Sequence, residues 1–277
     1  MKKVVLAYSG GLDTSYCLKY LKNEKGYEVH TVLINTGGFD DEELQAIEDR
    51  AYELGSAQHA NLTILDKYYD KAIKYLIYGN VLKNNTYPLS VSAERVFQAI
   101  EAIKYAKSVG ANAIAHGSTC AGNDQIRFDL IFQTIAPEIE IITPIRDLKL
   151  SRQEEVDYLA KNGVHYSWEK AQYSINKGLW GTSVGGKETL TSHEALPSEA
   201  YPSQLQKQGE EKVTLEFNEG QLVAVNGKKD TPPNNIVILE KLANAYAIGR
   251  DIHVGDTIIG IKGRVGFEAA APLIIIK

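Results

Sequence analysis

The first 160 residues alternate short apolar runs with segments whose apolar positions repeat at helical spacing. The apolar, β-branched runs predict five strands: Val4–Leu6, Tyr27–Ile34, Ala60–Leu65, Ala113–His116 and Ile139–Ile142. Helical spacing after Leu12 and in five further segments predicts helices: Asp41–Leu54, Asp66–Tyr78, Ser92–Val109, Asp124–Ile135 and Ser151–Lys161. Strands that alternate with helices this regularly indicate a parallel, doubly wound α/β sheet, which binds ligands at the carboxyl ends of its strands.

The second part of the chain has a different pattern. Residues 167–210 are rich in Ser, Gly, Gln, Glu and Thr and show little periodicity. Residues 212–225 alternate as a β-hairpin does, residues 236–247 predict a helix, and two more strand-like runs follow. We therefore predict a doubly wound domain over residues 1–166 and a smaller α+β domain over residues 167–277.

The composition is that of an ordinary globular protein, with 277 residues, 44% hydrophobic and 23% charged. The formal net charge of −5 argues against broad electrostatic attraction to nucleic acid. No apolar run of about 18 residues predicts a membrane span, and the N-terminal apolar run is too short for a signal peptide. Cys17 and Cys120 lie far apart, which favours two reduced thiols over a disulfide or a zinc site. We expect a cytoplasmic protein.

A polar stretch, Ser9-Gly10-Gly11-Leu12-Asp13-Thr14-Ser15, follows the first predicted strand. Paired glycines let the backbone approach a ligand closely, and the start of a helix offers unpaired N–H groups and a positive dipole end. Ser9, Thr14 and Ser15 add hydroxyl groups, and Asp13 adds a carboxylate that could hold a metal or cap the helix. Spacing alone leaves two interpretations open, a phosphate-binding loop and an ordinary strand–turn–helix connection. The lysine and spacing of a Walker-A loop are absent.

A second dense stretch follows the fourth predicted strand and runs from His116 to Phe128, H-G-S-T-C-A-G-N-D-Q-I-R-F. It places an amide, a carboxylate and a guanidinium close together, at Asn123, Asp124 and Arg127. Such a group suits an amino-acid ligand, with Asp124 for an ammonium group and Arg127 for a ureido or carboxylate oxygen. The alternative is a helix N-cap followed by a surface arginine, and spacing alone leaves both open.

Both stretches resemble motifs of one protein family. Ser-Gly-Gly-Leu-Asp-Thr-Ser resembles the pyrophosphate-binding signature of the N-type ATP pyrophosphatases, and its flanking residues are most similar to argininosuccinate synthases. The second stretch resembles the argininosuccinate synthase motif H-G-x-T-x-x-G-N-D-Q-x-R-F. Further family-like segments cover residues 87–92, 173–174, 179–183 and 223–227. The resemblance runs along essentially the whole chain and implies an adenine-nucleotide alpha-hydrolase-like fold for the doubly wound domain.

The resemblance implies a role for each matching residue. ATP and pyrophosphate are expected to bind at Ala7, Tyr8, Ser9, Gly10, Gly11, Leu12, Asp13, Thr14, Ser15, Ile34 and Gly117. Citrulline is expected to bind at Tyr87, Ser92, Asn123, Arg127, Ser174 and Ser183. Aspartate is expected to bind at Thr119, Asn123 and Asp124. The residues expected to act catalytically are Asp13, Asp124 and Arg127. We assign no residue as a metal ligand.

The implied reaction is the ATP-dependent condensation of citrulline with aspartate to argininosuccinate, AMP and pyrophosphate. The ureido oxygen attacks the α-phosphorus to form a citrullyl-adenylate, and the aspartate amine then displaces AMP. Because no side-chain nucleophile is needed, the protein's task is positioning and charge stabilisation. ATP and Mg²⁺ are the implied cofactors, and Mg²⁺ usually bridges phosphates while keeping several waters.

The chain departs from the family pattern at two sites. The loop after the second strand is Ile34-Asn35-Thr36-Gly37-Gly38 in place of A-D-x-G-Q. The citrulline-binding Glu and Tyr of the family become Gly255 and Phe267. Because an ammonium group that loses its carboxylate partner is left poorly paired, either Asp256 or Glu268 compensates or the substrate is an Nα-acylated citrulline. Two further alternatives are another N-type ATP pyrophosphatase and a catalytically inactive nucleotide sensor.

The chain ends in the apolar run Pro272–Lys277, which we expect to form a strand. Family members continue past this point into a helix that wraps a neighbouring subunit of a tetramer. We therefore expect either a truncated or a naturally short family member. The resemblance implies a homo-oligomer, and we expect neither nucleic acid nor a membrane as a partner.

Overall fold

A computed structural model of the protein describes residues 2–120, 122–166, 173–258, 260 and 262–277. Its first part is built on a five-stranded sheet in which every neighbouring pair is parallel, in the order β3-β2-β1-β4-β5. The strands are β1 Lys3–Ala7, β2 Glu28–Asn35, β3 Gln58–Thr63, β4 Ala113–Ala115 and β5 Glu140–Ile142. The helices are α1 Leu12–Asn23, α2 Asp41–Leu54, α3 Leu65–Tyr68, α4 Lys74–Tyr78, α5 Ser90–Ser108, α6 Asp124–Ile135, α7 Pro144–Leu148 and α8 Arg152–Lys161.

Helices cover both faces of this sheet, which confirms the predicted doubly wound α/β architecture. Leu6 of β1 packs with Leu18 of α1 on one face. Val5, the residue before it, packs on the other face with Ile103 of α5 and Phe132 of α6. The strand order reverses between β1 and β4, so the crevice expected to bind ligands lies at the carboxyl ends of these two strands.

Two helix starts follow from capping side chains. α2 begins with a capping box between Asp40 and Glu43, and α8 begins with the same device between Ser151 and Glu154. The predicted helix 66–78 is interrupted by a π-helical turn at Tyr69–Ile73, between α3 and α4. None of the helices in the described part of the chain is long and apolar enough to cross a membrane.

The described residues of the second part form two antiparallel sheets, two α-helices and short 3₁₀ helices at Lys187–Leu190 and Ser198–Ala200. A four-stranded sheet has the order β11-β12-β7-β6, and a three-stranded sheet has the order β10-β9-β8. These strands are β6 Ser174–Gly178, β7 Gly181–Gly185, β8 Leu215–Asn218, β9 Gln221–Val225, β10 Lys228–Lys229, β11 Arg250–Asp256 and β12 Lys262–Glu268. The helices are α9 Pro232–Asn244 and α10 Ala270–Ile276.

The segment 167–210 shows little periodicity, yet β6 and β7 form a hairpin there, whose small and polar residues hide the period-two pattern. The predicted C-terminal strand is wrong, since the chain ends in helix α10. Pro272 lies in the first turn of α10, where its missing N–H is tolerated, and short apolar runs fit a helix as well as a strand. The predicted domain boundary adjoins residues 167–172, which lie outside the described residues, and it stays a prediction.

The second part lies directly against the ligand-binding end of the first. The amide of Leu179, between β6 and β7, donates to the Thr36 carbonyl over 2.8 Å. The Trp180 indole donates to the Pro88 carbonyl over 3.0 Å, and the amide side chain of Asn84 donates to the Val254 carbonyl over 3.2 Å. These bonds join the β6–β7 hairpin and β11 to the loops that follow β2 and precede α5.

Candidate active site

The loop at residues 9–15 is a tight connection between β1 and α1. Gly10 has φ of +73°, and a Cβ at this position would lie 3.1 Å from the Ile47 side chain. Gly11 is the N-cap residue of α1 and, being glycine, has no side chain to cap it. The Arg50 guanidinium donates to the Gly10 carbonyl over 2.7 Å, which fixes the loop from α2. The amides of the first turn of α1 are therefore free of side-chain caps, as an anion-binding helix start requires.

The two predicted loops meet at the point where the strand order reverses. A Cβ built on Gly117, after β4, would lie 3.3 Å from the backbone carbon of Asp13, from its Cβ and from the Thr14 methyl group. A side chain at this position would force the loop after β4 and the start of α1 slightly apart. The structure thus places Gly117 with Asp13 and Thr14 in one crevice.

Asp13 faces a second carboxyl group across α1 and α8. Glu155 of α8 is 1% exposed, and burial and the neighbouring Asp13 raise its pKa to about 8. One oxygen of the Glu155 carboxyl, Oε2, has no hydrogen-bond partner among the described residues. Glu155 therefore keeps its proton through most of the neutral range, because burial and the adjacent carboxyl group disfavour its ionised form. Spacing along the sequence gave no indication of Glu155.

Tyr8 and Ser15 line the inner side of the same loop. Both are buried, and burial raises the pKa of Tyr8 to about 12. Ala7 ends β1, paired with Val32 of β2, and Leu12 begins α1 in the core. The Ser9 and Thr14 hydroxyls lie 3.4 Å apart at the loop surface.

His116 holds the second loop in place through hydrogen bonds on both ring nitrogens. Its Nδ1 accepts a hydrogen bond from the Ser118 amide over 3.2 Å, and its Nε2 lies 2.9 Å from the Asp129 carboxylate. Arg146 donates to the other oxygen of Asp129 over 2.6 Å. With Nδ1 as an acceptor, the proton resides on Nε2 and points to Asp129. His116 therefore shapes the loop, and its ring nitrogens are both engaged.

Asp124 lies at the centre of a hydrogen-bonded ion network. Arg95 Nε donates to one carboxylate oxygen over 3.0 Å, and Arg127 donates to the other. Arg127 also donates to the Ser92 hydroxyl over 3.2 Å. Arg95 reaches further, to the amide oxygen of Asn176 on β6. The structure thus brings together three of the predicted site residues, Ser92, Asp124 and Arg127, and it adds Arg95 and Asn176, which the sequence interpretation missed.

The network fixes the charge of Asp124. Burial alone would raise the pKa of Asp124, but Arg95 and Arg127 hold it below its usual value. Asp124 is therefore an anion throughout the neutral range, which suits a positively charged ligand group.

Asn123 contacts the second part of the chain instead of capping α6. Its side-chain amide donates to the Asp256 carbonyl over 3.0 Å and accepts from the Ile258 amide over 2.7 Å. Asn123 and Arg127, which the i and i+4 spacing placed together, thus have different partners. Thr119 is exposed on the loop after β4.

The remaining predicted citrulline residues lie where the second part meets α5. Ser183 is buried on β7, and its hydroxyl lies 3.5 Å from the Asn176 amide nitrogen, whereas Ser174 is exposed at the start of β6. Tyr87 is buried, and its hydroxyl lies 3.2 Å from both the Ser90 hydroxyl and the Val91 amide.

Tyr87 belongs to an aromatic cluster with His253 and Phe267. The Tyr87 ring stacks on His253 at 4.7 Å and contacts the Phe267 ring at 5.3 Å. Phe267 is fully buried and pairs with Ser183 across β12 and β7. The site here is therefore lined by rings and lacks a carboxylate from position 255.

Neither carboxylate that was expected to compensate for Gly255 is free. Glu268 is buried and accepts from Arg250 over 2.8 Å. Asp256 is exposed and pairs with Lys262. At Ile34, where adenine contact is expected, the carbonyl lies 3.5 Å from the Gln98 amide nitrogen.

Comparison with known proteins identifies the family. A family model described as the arginosuccinate synthase N-terminal HUP domain matches residues 3–165, and one described as the arginosuccinate synthase C-terminal domain matches residues 173–277. The chain is 38% identical over 275 residues to an argininosuccinate synthase of Methanocaldococcus jannaschii, covering 98% of this chain and 69% of the relative.

Relatives from distant organisms give the same result. The argininosuccinate synthase of Sulfolobus acidocaldarius is 36% identical over 276 residues, which cover 99% of this chain and 70% of the relative. That of Xylella fastidiosa is 39% identical over an alignment of 281 positions, which covers 97% of this chain and 68% of the relative. The chain belongs to the argininosuccinate synthase family, whose members are ATP-using ligases that form a carbon–nitrogen bond.

Proposed function

We propose that the protein condenses citrulline with aspartate through a citrullyl-adenylate and releases AMP and pyrophosphate. The observation that carries the proposal is the contact of Gly117 with Asp13 and Thr14, which joins the nucleotide loop to the amino-acid loop in one crevice. A reaction in which one amino acid attacks ATP and a second displaces AMP needs this proximity.

The nucleotide half rests on α1 and the loop before it. We assign pyrophosphate to the uncapped amides after Gly11, where the positive end of the helix dipole stabilises the negative charge that develops as the bond between the α- and β-phosphates breaks. The Ser9 and Thr14 hydroxyls add donors, and the Ile34 backbone is our candidate for the adenine contact.

Mg²⁺ is the second cofactor that the family resemblance implies. Among the described residues, no group of three or more His, Cys, Asp or Glu side chains could hold a metal ion. We propose that Mg²⁺ enters with ATP, bound by phosphate oxygens and water.

The amino-acid half rests on α5, α6 and the β6–β7 hairpin. We assign the aspartate ammonium to the ionised Asp124, with Thr119 and Asn123 as further polar contacts. We assign the ureido end of citrulline to Arg127 and Ser92, which already share a hydrogen bond. Once the ureido oxygen is adenylated, it leaves with AMP, so the aspartate amine attacks a carbon that carries a good leaving group.

The comparisons favour none of the alternatives, neither another ATP pyrophosphatase nor an inactive sensor. Free citrulline is therefore our proposed substrate. Because Glu268 and Asp256 are paired elsewhere, the direct check on the α-amino group is to compare the kinetics with citrulline and with acetyl-citrulline.

We also propose a cytoplasmic homo-oligomer, tetrameric as in the family. Size-exclusion chromatography with light scattering tests this proposal.

The test of the function is pyrophosphate release from ATP with citrulline and aspartate added singly and together. We expect release to require citrulline, and argininosuccinate to form only when aspartate is also present. Release with other amino acids but not with citrulline would assign the chain to a different adenylating reaction, and no release with any amino acid would favour the sensor.

A further inference from the structure

A buried carboxylate outside the recognised motifs lies beside the Asp124 network. Glu94 of α5 is 1% exposed. Its Oε1 accepts from Arg95 Nη1 over 3.2 Å and from the Gln98 amide over 2.9 Å. The side chain of Thr36, in the loop after β2, lies close enough to lower the pKa of Glu94.

The second part of the chain is shaped around this carboxylate. A Cβ built on Gly178 of β6 would lie 1.8 Å from Glu94 Oε2, far inside contact distance. A side chain at position 178 would therefore displace Glu94 or the strand. The absence of a side chain at Gly178 lets β6 close over α5 with Glu94 buried between them.

Arg95 is held from three directions by its hydrogen bonds. Its Nε donates to Asp124, its Nη1 to Glu94 and Gln98, and its Nη2 to Asn176. A planar guanidinium with every nitrogen engaged has one orientation, so the acceptors on one side determine which atom faces Asp124. Glu94 is the acidic acceptor on the side opposite Asp124, and burial raises its pKa to about 7.

The charges around Arg95 balance fully when Glu94 is ionised, which requires a pH above its raised pKa of about 7. Glu94 and Asp124 supply two carboxylates, and Arg95 and Arg127 supply two guanidinium groups. A buried charge without a partner is costly, so each group constrains the others. Removing one carboxylate leaves Arg95 free to shift toward the other.

Building on the proposed function, we propose that Glu94 is a positioning residue for the reaction. It orients Arg95 so that Nε donates to Asp124, and Asp124 in turn holds the ammonium group of aspartate. Glu94 itself contacts neither substrate.

The test compares Glu94→Gln with the matched variant Glu240→Gln. Glu240 is also a largely buried glutamate, but its carboxylate accepts from the Ala271 amide at the start of α10, away from Arg95. We expect Glu94→Gln to raise the KM for aspartate about tenfold, the effect of losing one charge-assisted hydrogen bond, with citrulline-dependent pyrophosphate release changed much less. Glu240→Gln should leave both parameters near those of the unmodified protein. Equal effects of the two variants, or an unchanged KM for aspartate in Glu94→Gln, would overturn the proposal.

A second measurement needs no activity and separates this proposal from the proposed function. In urea unfolding, Glu94→Gln and Asp124→Asn should shift the midpoint non-additively, because both remove an acceptor of the same guanidinium. Glu240→Gln with Asp124→Asn should be additive. Should Glu94→Gln fail to fold, Glu94→Asp, which keeps the charge but withdraws the carboxylate, is expected to give the same rise in KM and the same non-additivity. Additive shifts for Glu94 and Asp124 would contradict the proposal even in a protein that releases no pyrophosphate with citrulline.

Discussion

Asp13 and Asp124 occupy equivalent places, each in the first turn of a helix that follows a strand of the same parallel sheet, yet their surroundings are opposite. Asp124 lies between the guanidinium groups of Arg95 and Arg127, which lower its pKa. Asp13 lies beside the carboxyl of Glu155, whose pKa rises to about 8. Helix position alone therefore does not determine the charge state of a carboxyl group. Its charge state depends on the side chains that other helices and strands place beside it.

This difference matches the two halves of the proposed reaction. The Asp124 region holds a fixed negative charge within a neutral network, which suits the ammonium group of an amino acid. The Asp13 region carries less negative charge because Glu155 keeps its proton in the neutral range, which suits an anionic ligand such as a polyphosphate. Three substitutions test the contrast, in order of expected effect.

The largest effect is expected from Arg95→Ala. Removing this guanidinium leaves the buried Glu94 and the partly buried Asp124 with too few partners, and breaking a buried pair costs about 3–5 kcal/mol. We expect a loss of kcat/KM for aspartate of at least about 100-fold and a lower urea midpoint. The control is Lys207→Ala, which removes an exposed pair with Glu211 and should change little. Near-normal kinetics in Arg95→Ala would show that the network is not needed.

A smaller effect is expected from Gly117→Ala. The added methyl group would lie 3.3 Å from Asp13 and Thr14, so the two loops must separate slightly. We expect the KM for ATP to rise about tenfold, in the range of moderate overpacking. Gly122→Ala is the matched control, because a Cβ there meets no atom within 4 Å among the described residues. Equal kinetics for the two alanine variants would argue against a working contact between the loops.

The smallest effect is expected from Glu155→Gln, which should change the melting temperature in a pH-dependent way. Because the pKa of Glu155 is raised from 4.5 to about 8, its contribution to stability is fully present below pH 4.5 and is lost as the pH rises toward 8. The glutamine variant should therefore melt about 2–4 °C above the unmodified protein at pH 9 and show little advantage at pH 5. Glu154→Gln, one residue earlier and on the surface, should show no gain at pH 9. An advantage of Glu155→Gln confined to low pH would reverse the assignment.

Features that depend on a few neighbouring residues could be predicted from the sequence. Buried β-branched runs, capping residues such as Ser151, and the glycines of the loop at residues 9–15 act over a few positions, and the structure reproduces the five strands and both loops. Arg95 was not found, because its partners lie 29 residues away at Asp124 and 81 residues away at Asn176. In the sequence it is only one polar position in a helical stripe.

Distance along the sequence also explains why Glu155 and the β6–β7 hairpin were not predicted. Glu155 has a place in the site only because α8 packs against α1, which spacing within either helix does not reveal. The hairpin is specified by its contacts with β12 and α5, not by an apolar pattern of its own. Site chemistry that two distant segments create together therefore escaped prediction, whereas chemistry within one loop did not.

The most direct test of the central claim is to follow the ureido oxygen. Citrulline labelled with ¹⁸O in the ureido group, incubated with ATP, aspartate and the protein, should yield AMP with ¹⁸O in its phosphate, because that oxygen attacks the α-phosphorus and leaves with AMP. AMP without the label, formed together with argininosuccinate, would contradict the citrullyl-adenylate and with it the joint role of the two loops.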